Sequence, residues 1–460
     1  MKGIALIAGL QIGSGIFSSP GVVVANTGSV GASLVVWILS GLLSWTGAGS
    51  FAELGSAIPL NGGAQAYLGY AYGPLASYLY TWTSILVLSP GSKAVTSLIF
   101  AEYLNRVFWG VTRSDESRTE IPQWAIQLTA IAAIGGVTLL CIVTRGLGTR
   151  AAVIFTSAKA RSITAGTILT LCGAVQLFRG RASSSLKGDL FEGSSRSPSS
   201  YALALYSGLW AFDGWDQVSF VGGEMKRPEK SIPRAIHFSM IIVIVLFLFA
   251  NLSYFLVLEK DVVGPSNTIA LDFGWTLFGP LGGSFFAFTV AISCFGALNG
   301  SFFTAGRVIQ AAGRKGFLPA RFGRLHPTRH TPVNAMLLQA AITSAFVLGG
   351  GGFRSLLSFA VVAFWSFYFL TVLGVVVLRL REPDLPRPYK TWMVTPLTFC
   401  SVAFFLLLMP ILAAPWQAFA VAVFVGMGVP MYYVTRQSRI RLLSGDAGPG
   451  YGAVDAGPPQ

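Results

Sequence analysis

Between Lys2 and Lys93 the chain carries a single charged side chain, Glu53. No water-soluble fold covers its surface with so few charges. The rest of the chain continues the pattern, with apolar runs separated by short clusters of Arg, Lys, Gly and Pro. Charged residues are 11% of the sequence and hydrophobic ones 53%, where a soluble domain holds about 25% charged. The expected solvent is therefore a lipid bilayer, and soluble enzymes of ordinary type are excluded. A net charge of +14 would suit nucleic acid if the cations formed a face or a stripe. They come instead as short clusters between apolar runs, so no nucleic acid partner is expected.

A transmembrane helix needs about 20 predominantly apolar residues. Windows of that kind run approximately over residues 3–27, 31–57, 72–104, 122–144, 151–178, 201–221, 234–258, 281–312, 332–349, 355–380, 394–413 and 415–435, which predicts an all-α integral membrane protein of twelve spans. The runs are continuously apolar, without the alternation of a membrane β-barrel. The first window begins at residue 3 and exceeds signal-peptide length, so it reads as a span and not as a cleaved signal. Cys141, Cys172, Cys294 and Cys400 each lie within an apolar window, with no CxxC or Cys/His spacing; neither a disulfide framework nor a metal site is expected.

With twelve alternating spans, the side that holds the N-terminus receives twenty of the 32 Lys and Arg residues, which by the positive-inside rule places both termini in the cytosol. The Gly-, Pro- and Ala-rich residues 436–460 read as a disordered cytosolic tail. The plasma membrane is the expected home.

Two windows contain what an uninterrupted membrane helix avoids. Gly13, Ser14 and Gly15 interrupt the first, and Trp210-Ala211-Phe212-Asp213-Gly214-Trp215-Asp216 puts two carboxylates and a glycine into the sixth. Broken helices at corresponding positions of two halves point to a midplane substrate site in a transporter. Unwinding frees N–H groups at a helix start, which suit a carboxylate, and C=O groups at a helix end, which suit an amine. A zwitterionic amino acid needs both. Glycine alone is common in membrane helices for packing reasons, but an intramembrane carboxylate is expensive and marks function by default.

These residues carry a resemblance. Ile12-Gly13-Ser14-Gly15-Ile16-Phe17, Ala52-Glu53-Leu54-Gly55 with Pro59 and Gly62-Gly63, Leu205 to Trp210 with Gly214-Trp215 and Glu224-Met225, and Ser293-Cys294-Phe295-Gly296 with Asn299-Gly300-Ser301 resemble the amino acid–polyamine–organocation superfamily. Within it the chain is most similar to the L-type amino acid transporter family, and the Trp210 to Asp216 stretch resembles fungal methionine and neutral amino acid permeases. Gly316-Phe317-Leu318-Pro319, His326-Pro327, Thr331-Pro332-Val333 and Arg387-Pro388-Tyr389-Lys390 agree, so the similarity spans nearly the whole chain.

The resemblance implies a LeuT-like fold. Residues 1–178 would form the first inverted repeat (spans 1–5) and 201–380 the second (spans 6–10), with 394–435 as spans 11 and 12. It implies a sodium-independent carrier of neutral L-amino acids, methionine or leucine first, with no cofactor. Gln11, Ile12, Gly13, Ser14, Gly15 and Ile16 would bind substrate together with Trp210, Asp213, Gly214, Phe295, Asn299 and Trp365. Ser14 and Gly15 would take the carboxylate, and the carbonyls around Gln11, Trp210 and Asp213 the amine. Trp210 would be an aromatic lid. Lys159 matches the lysine that replaces a coupling cation in sodium-independent relatives; a snorkelling lysine is the alternative, since it lies about two turns, ~12 Å, into its span. Where relatives have glycine or a neutral amide, this chain has Asp213 and Asp216, which either attract the amine, carry a proton or cap the unwound helix. Residues 105–121 lack the cysteine with which animal L-type carriers couple to a glycoprotein, so no disulfide-linked ancillary subunit is expected.

Lys93, near the centre of its span, is expected to face the bundle or a wet cavity and to pair with an acidic group. Glu53 is expected to make a helix-end or gate contact, Arg161 to line an inner vestibule, and His237, His326 and His330 to lie on the surface. An intramembrane hydrolase fails for want of HExxH or GxSxG, and a channel for want of a repeated pore loop. A sensor that keeps this fold without turnover stays open.

Overall fold

The computed structural model describes residues 11, 13–58, 60, 62–108, 121–143, 167–180, 183–216, 219, 227–314, 317–327, 329, 331–349, 353–413 and 415–443. Among them every regular element is helical. The long elements, numbered in chain order, are α1 (Gly15–Thr27), α2 (Val30–Ala57), α3 (Pro74–Phe108), α4 (Gln123–Val143), α5 (Thr167–Phe178), α6 (Pro198–Ala211), α7 (Pro228–Val257), α8 (Ile269–Arg314), α9 (Val333–Gly349), α10 (Phe353–Arg381), α11 (Val394–Ala413) and α12 (Pro415–Leu443). Six described helices are long and apolar enough to cross a membrane, and shorter apolar helices fall in four further windows.

Local chemistry sets the boundaries. α1 ends on Gly28 at φ 77, whose N–H returns to the Val24 carbonyl, and α2 begins at once behind Ser29, whose hydroxyl accepts from the Ala32 N–H. A left-handed glycine and a serine cap satisfy orphan groups at both helix ends, giving a tight hairpin. Proline occupies the first turn of α6 and of α7, where its missing N–H costs nothing. The 46-residue α8 turns a corner at Gly279 (φ 70) before Pro280, which is why the apolar window starts only at 281.

Helix packing follows a simple rule. α1 lies against α6, α2 against α7, α3 against α8 and α4 against α9. Each of these helices of the first half thus meets the one five places later. α2 turns Ser33, Ser40, Ser44, Gly47 and Ala48 inward together with the rings of Trp37 and Phe51, and turns Leu39 and Leu42 outward. Trp124, Leu128, Phe249 and Phe285 are likewise exposed on other helices. Small residues at the helix contacts let backbones approach closely, and that approach, not escape from water, holds membrane helices together.

Residues 183–197 run across one end of this assembly. The Gly31 N–H donates to the Leu190 carbonyl (2.7 Å), the Ser195 N–H to Thr27 (2.8 Å) and the Ser183 N–H to Leu256 (2.9 Å). The segment therefore ties the α1–α2 corner to the end of α7 with main-chain bonds.

Candidate substrate site

The two sequence interruptions meet in space. Gln11 is helical, residues 13 and 14 are bends, and α1 starts at Gly15. The Gly13 N–H closes back on the Gln11 carbonyl at 2.8 Å. Ser14 is buried, and its hydroxyl does not cap the helix; its carbonyl takes the Phe17 N–H at 3.2 Å, and the N–H groups of Gly15 and Ile16 precede the first intrahelical bond of α1. On the other side α6 ends at Ala211, Phe212 takes φ −84 and ψ 0, and Gly214 takes φ 110, a conformation open to glycine. The Asp213 N–H donates to the Trp210 carbonyl at 3.1 Å.

The breaks touch. A Cβ added to Gly15 would lie 2.6 Å from the Ala211 Cα, so only glycine lets α1 and α6 cross this closely. The Gln11 amide donates to the Phe212 carbonyl at 2.7 Å. Beside this contact the Asp213 carboxylate accepts from the Tyr368 hydroxyl of α10 at 2.8 Å. Leu209, Trp210, Asp213, Trp215, Phe364, Trp365 and Tyr368 line one cavity. Trp365 is held there by stacking on Phe399 of α11, with centroids 5.1 Å apart.

Of the residues expected to bind substrate, Gln11, Gly13, Ser14, Gly15 and Ile16 lie along the α1 break, and Trp210, Asp213 and Gly214 along the α6 break, with Trp365 across the cavity. The Phe295 ring packs on Phe100 of α3 at 5.8 Å. Asn299 is turned toward α4, its side-chain oxygen taking the Cys141 thiol at 3.3 Å. Asp216 is buried next to Trp215, and its carbonyl accepts from the Ser219 N–H at 2.9 Å. Ile12, Lys159, Arg161 and His330 lie outside the described residues.

Two sequence expectations are corrected. Lys93 has no carboxylate partner among the described residues. Its ammonium bonds the Ser89 carbonyl (3.2 Å) and Ser89 hydroxyl one turn back, and stands 5.8 Å from the Phe302 ring of α8. A hydroxyl, a carbonyl and a π face take the place of the expected acid. His237 is partly buried, with both ring nitrogens bonded. The Trp45 indole N–H donates to its Nδ1 at 2.8 Å, so Nε2 carries the proton and donates to the Tyr389 hydroxyl at 2.6 Å. Burial first, and the Glu53 carboxylate second, raise the Tyr389 phenol above its ordinary pKa. His326 is exposed.

Two sets of partners are hidden in the sequence. Tyr368, 155 residues from Asp213, reads there as one more aromatic in an apolar run. Glu53 reads as a helix-end contact with no partner named. Arg379 meets it through two nitrogens, the Nε at 2.9 Å, and Arg387 stands at 3.7 Å. The Thr391 N–H and hydroxyl complete the set at 2.9 and 2.8 Å. The usable signal is a lone carboxylate at a helix end facing a later Arg-rich loop.

Membrane-length apolar helices with two interrupted ones meeting at an internal site define a membrane permease, and likeness to known proteins names the kind. A family model described as amino acid permease matches residues 2–434, and the chain belongs to that family. It is 36% identical over 435 residues to the b(0,+)-type amino acid transporter 1 of Mus musculus, covering 94% of this chain and 86% of that protein. It is 35% identical over 434 residues to the cystine/glutamate transporter of Homo sapiens, covering 94% and 84%. It is 33% identical over 430 residues to the large neutral amino acids transporter small subunit 2 of Mus musculus, covering 93% and 79%. The chain is an amino acid transporter and not an enzyme.

Proposed function

We propose that the chain carries neutral L-amino acids, large or sulfur-containing ones first, by sodium-independent alternating access coupled to exchange or to protons. The observation that carries this is the meeting of the two breaks. The N–H groups at the start of α1 stand beside the carbonyl groups at the end of α6, so one zwitterion can bond to both. The pairing of helices five places apart supports two inverted five-helix halves, 1–178 and 201–380, within twelve spans. The main-chain bonds of residues 183–197 support movement of α1, α2 and α7 as one body, and α6 goes with them through its contact with α1.

Trp210 is the lid over this site, Lys159 takes the part of a coupling cation as the resemblance implies, and both termini face the cytosol of the plasma membrane. The name of one relative, a small subunit, says that that protein works in an assembly. Since residues 105–121 hold no cysteine, any partner of this chain is held there without a disulfide.

The test is uptake of radiolabelled methionine and leucine into proteoliposomes with and without internal amino acid. Flux stimulated by internal substrate is the expected result; amino acid binding without flux in either condition would leave a sensor instead. Ser14→Trp fills the space beside the α1 N–H groups and is expected to abolish methionine binding while the protein remains monodisperse in detergent. For coupling, Asp213→Asn is expected to flatten the pH dependence of uptake. Parent flux that is already independent of pH removes proton symport in favour of exchange.

A second reading rests on one observation. The Asp213 carboxylate shares its cavity with the rings of Trp210, Trp215, Phe364, Trp365 and Tyr368. A carboxylate among aromatic faces suits a cationic side chain. Inhibition of methionine uptake by lysine or arginine, lost in Asp213→Asn, would favour it.

A further inference from the structure

Gln11 is 2% exposed and lies immediately before the α1 break. Its side chain is not among those that line the Trp210 cavity. The Nε2 group donates to the Phe212 carbonyl at 2.7 Å and faces the Met240 sulfur of α7 at 3.3 Å. Phe212 is itself anchored, since its buried ring packs on Phe247 of α7 at 4.9 Å and edge-on to Trp37 of α2 at 6.0 Å. Its carbonyl is the first beyond the end of α6, and the next residue is Asp213. One side chain thus joins a helical residue just before one break to the first non-helical residue of the other.

We propose that Gln11 is a positioning residue: its amide holds the two breaks in register from behind, so that the main-chain carbonyls of residues 11, 210 and 213 converge on the substrate amine. This rests on the transport reading above and adds to it a role for the side chain, where the resemblance pointed only to main-chain groups.

Stability alone does not account for glutamine at this position. The Gln11 Oε1 atom is buried with no hydrogen-bond partner among the described residues, and an orphaned buried acceptor is a cost that a thioether of the same length does not carry. Gln11→Met removes that orphan and creates another by releasing the Phe212 carbonyl. The two changes oppose each other, so the folded state is little affected. What is lost is a side-chain hydrogen bond that spans the α1 and α6 breaks directly. Loosening such a brace lets the carbonyls wander from the amine, which weakens binding without emptying the site.

The experiment compares saturable methionine uptake by proteoliposomes of parent, Gln11→Met and Gln11→Glu, with thermal unfolding of each in detergent. Gln11→Met is expected to raise KM about tenfold, the worth of one hydrogen bond, with Vmax per folded protein and melting temperature close to the parent. Gln11→Glu supplies an internal check. A protonated carboxyl donates to the Phe212 carbonyl and an ionised one repels it. Its KM, divided by that of the parent at each pH, is therefore expected to be lowest at about pH 5.5 and to rise toward about pH 8 as the donating form is lost. A Gln11→Met KM within about twofold of the parent overturns the proposal, as does a lowered melting temperature with unchanged KM, which is what a merely structural glutamine predicts. A Gln11→Glu protein whose KM ratio falls as the pH rises overturns it as well. Failure of the underlying reading looks different, because a parent without saturable uptake removes both.

Discussion

Gly15→Ala is expected to lower amino acid affinity by about 10- to 100-fold, although it adds one methyl group. The added Cβ would stand 2.6 Å from the Ala211 Cα and 2.9 Å from its Cβ. Real Cβ atoms do not approach backbone that closely, so α1 and α6 must part or the start of α1 must distort. Overpacking of this kind costs about 1–3 kcal/mol, which a protein of ordinary stability survives. The geometry of the site does not, because the N–H groups that would hold the carboxylate begin at this residue. Gly136→Ala is the control. It makes the same chemical change on α4, where a Cβ meets nothing within 4 Å, and alanine is the better helix former. Equilibrium binding of labelled methionine in detergent reads both. Parent-like affinity in Gly15→Ala would mean that the crossing is looser than its distances say and that the carboxylate is held elsewhere.

The breaks are legible in the amino-acid sequence because they are punctuated by residues with few other uses in a membrane. A glycine–serine–glycine run and a pair of aspartates beside a glycine are costly in an apolar helix, and cost is a local property. Partners are not local. Asp213 finds Tyr368 and Glu53 finds Arg379 across 155 and 326 residues, and which residues meet depends on how each helix is rotated about its axis. In a soluble helix an apolar stripe reveals that rotation. A helix that is apolar all round does not, so the residues of α10 that face inward are invisible in its sequence. Lys93 and His237 show the same gap. Residue type alone suggests an acidic partner for the first and a surface position for the second, yet both are satisfied by neighbours that only packing supplies. The resemblance draws attention to the Gln11 main-chain carbonyl, and nothing in the sequence says that its amide reaches Phe212.

Glu53→Ala is expected to destabilise the protein by about 3–5 kcal/mol, the usual cost of removing one partner from a buried ion pair. The carboxylate is 2% exposed and the Arg379 side chain 11%. The loss falls unequally on the two arginines. Arg387 donates to the carbonyls of Leu378, Glu382 and Leu385, capping the end of α10 where a cation is favoured, and keeps those bonds. Arg379 keeps the Thr391 carbonyl and hydroxyl at 2.7 and 3.1 Å but no carboxylate, and a guanidinium in that position is poorly compensated. Removing both charges is therefore expected to cost less than removing one. Glu53→Leu/Arg379→Met should lie within about 1–2 kcal/mol of the parent, and the difference from the sum of the single variants measures the coupling. Thermal unfolding of the four proteins in detergent decides it; additive losses would mean that the pair contributes by packing and not by charge. The pair also joins the end of α2 to the end of α10. Because α2 belongs to the proposed moving body, the same four proteins report whether that link restrains it. A faster exchange rate in the stable double variant than in the parent is the expected sign that the Glu53 contact must break each time the site opens toward that end.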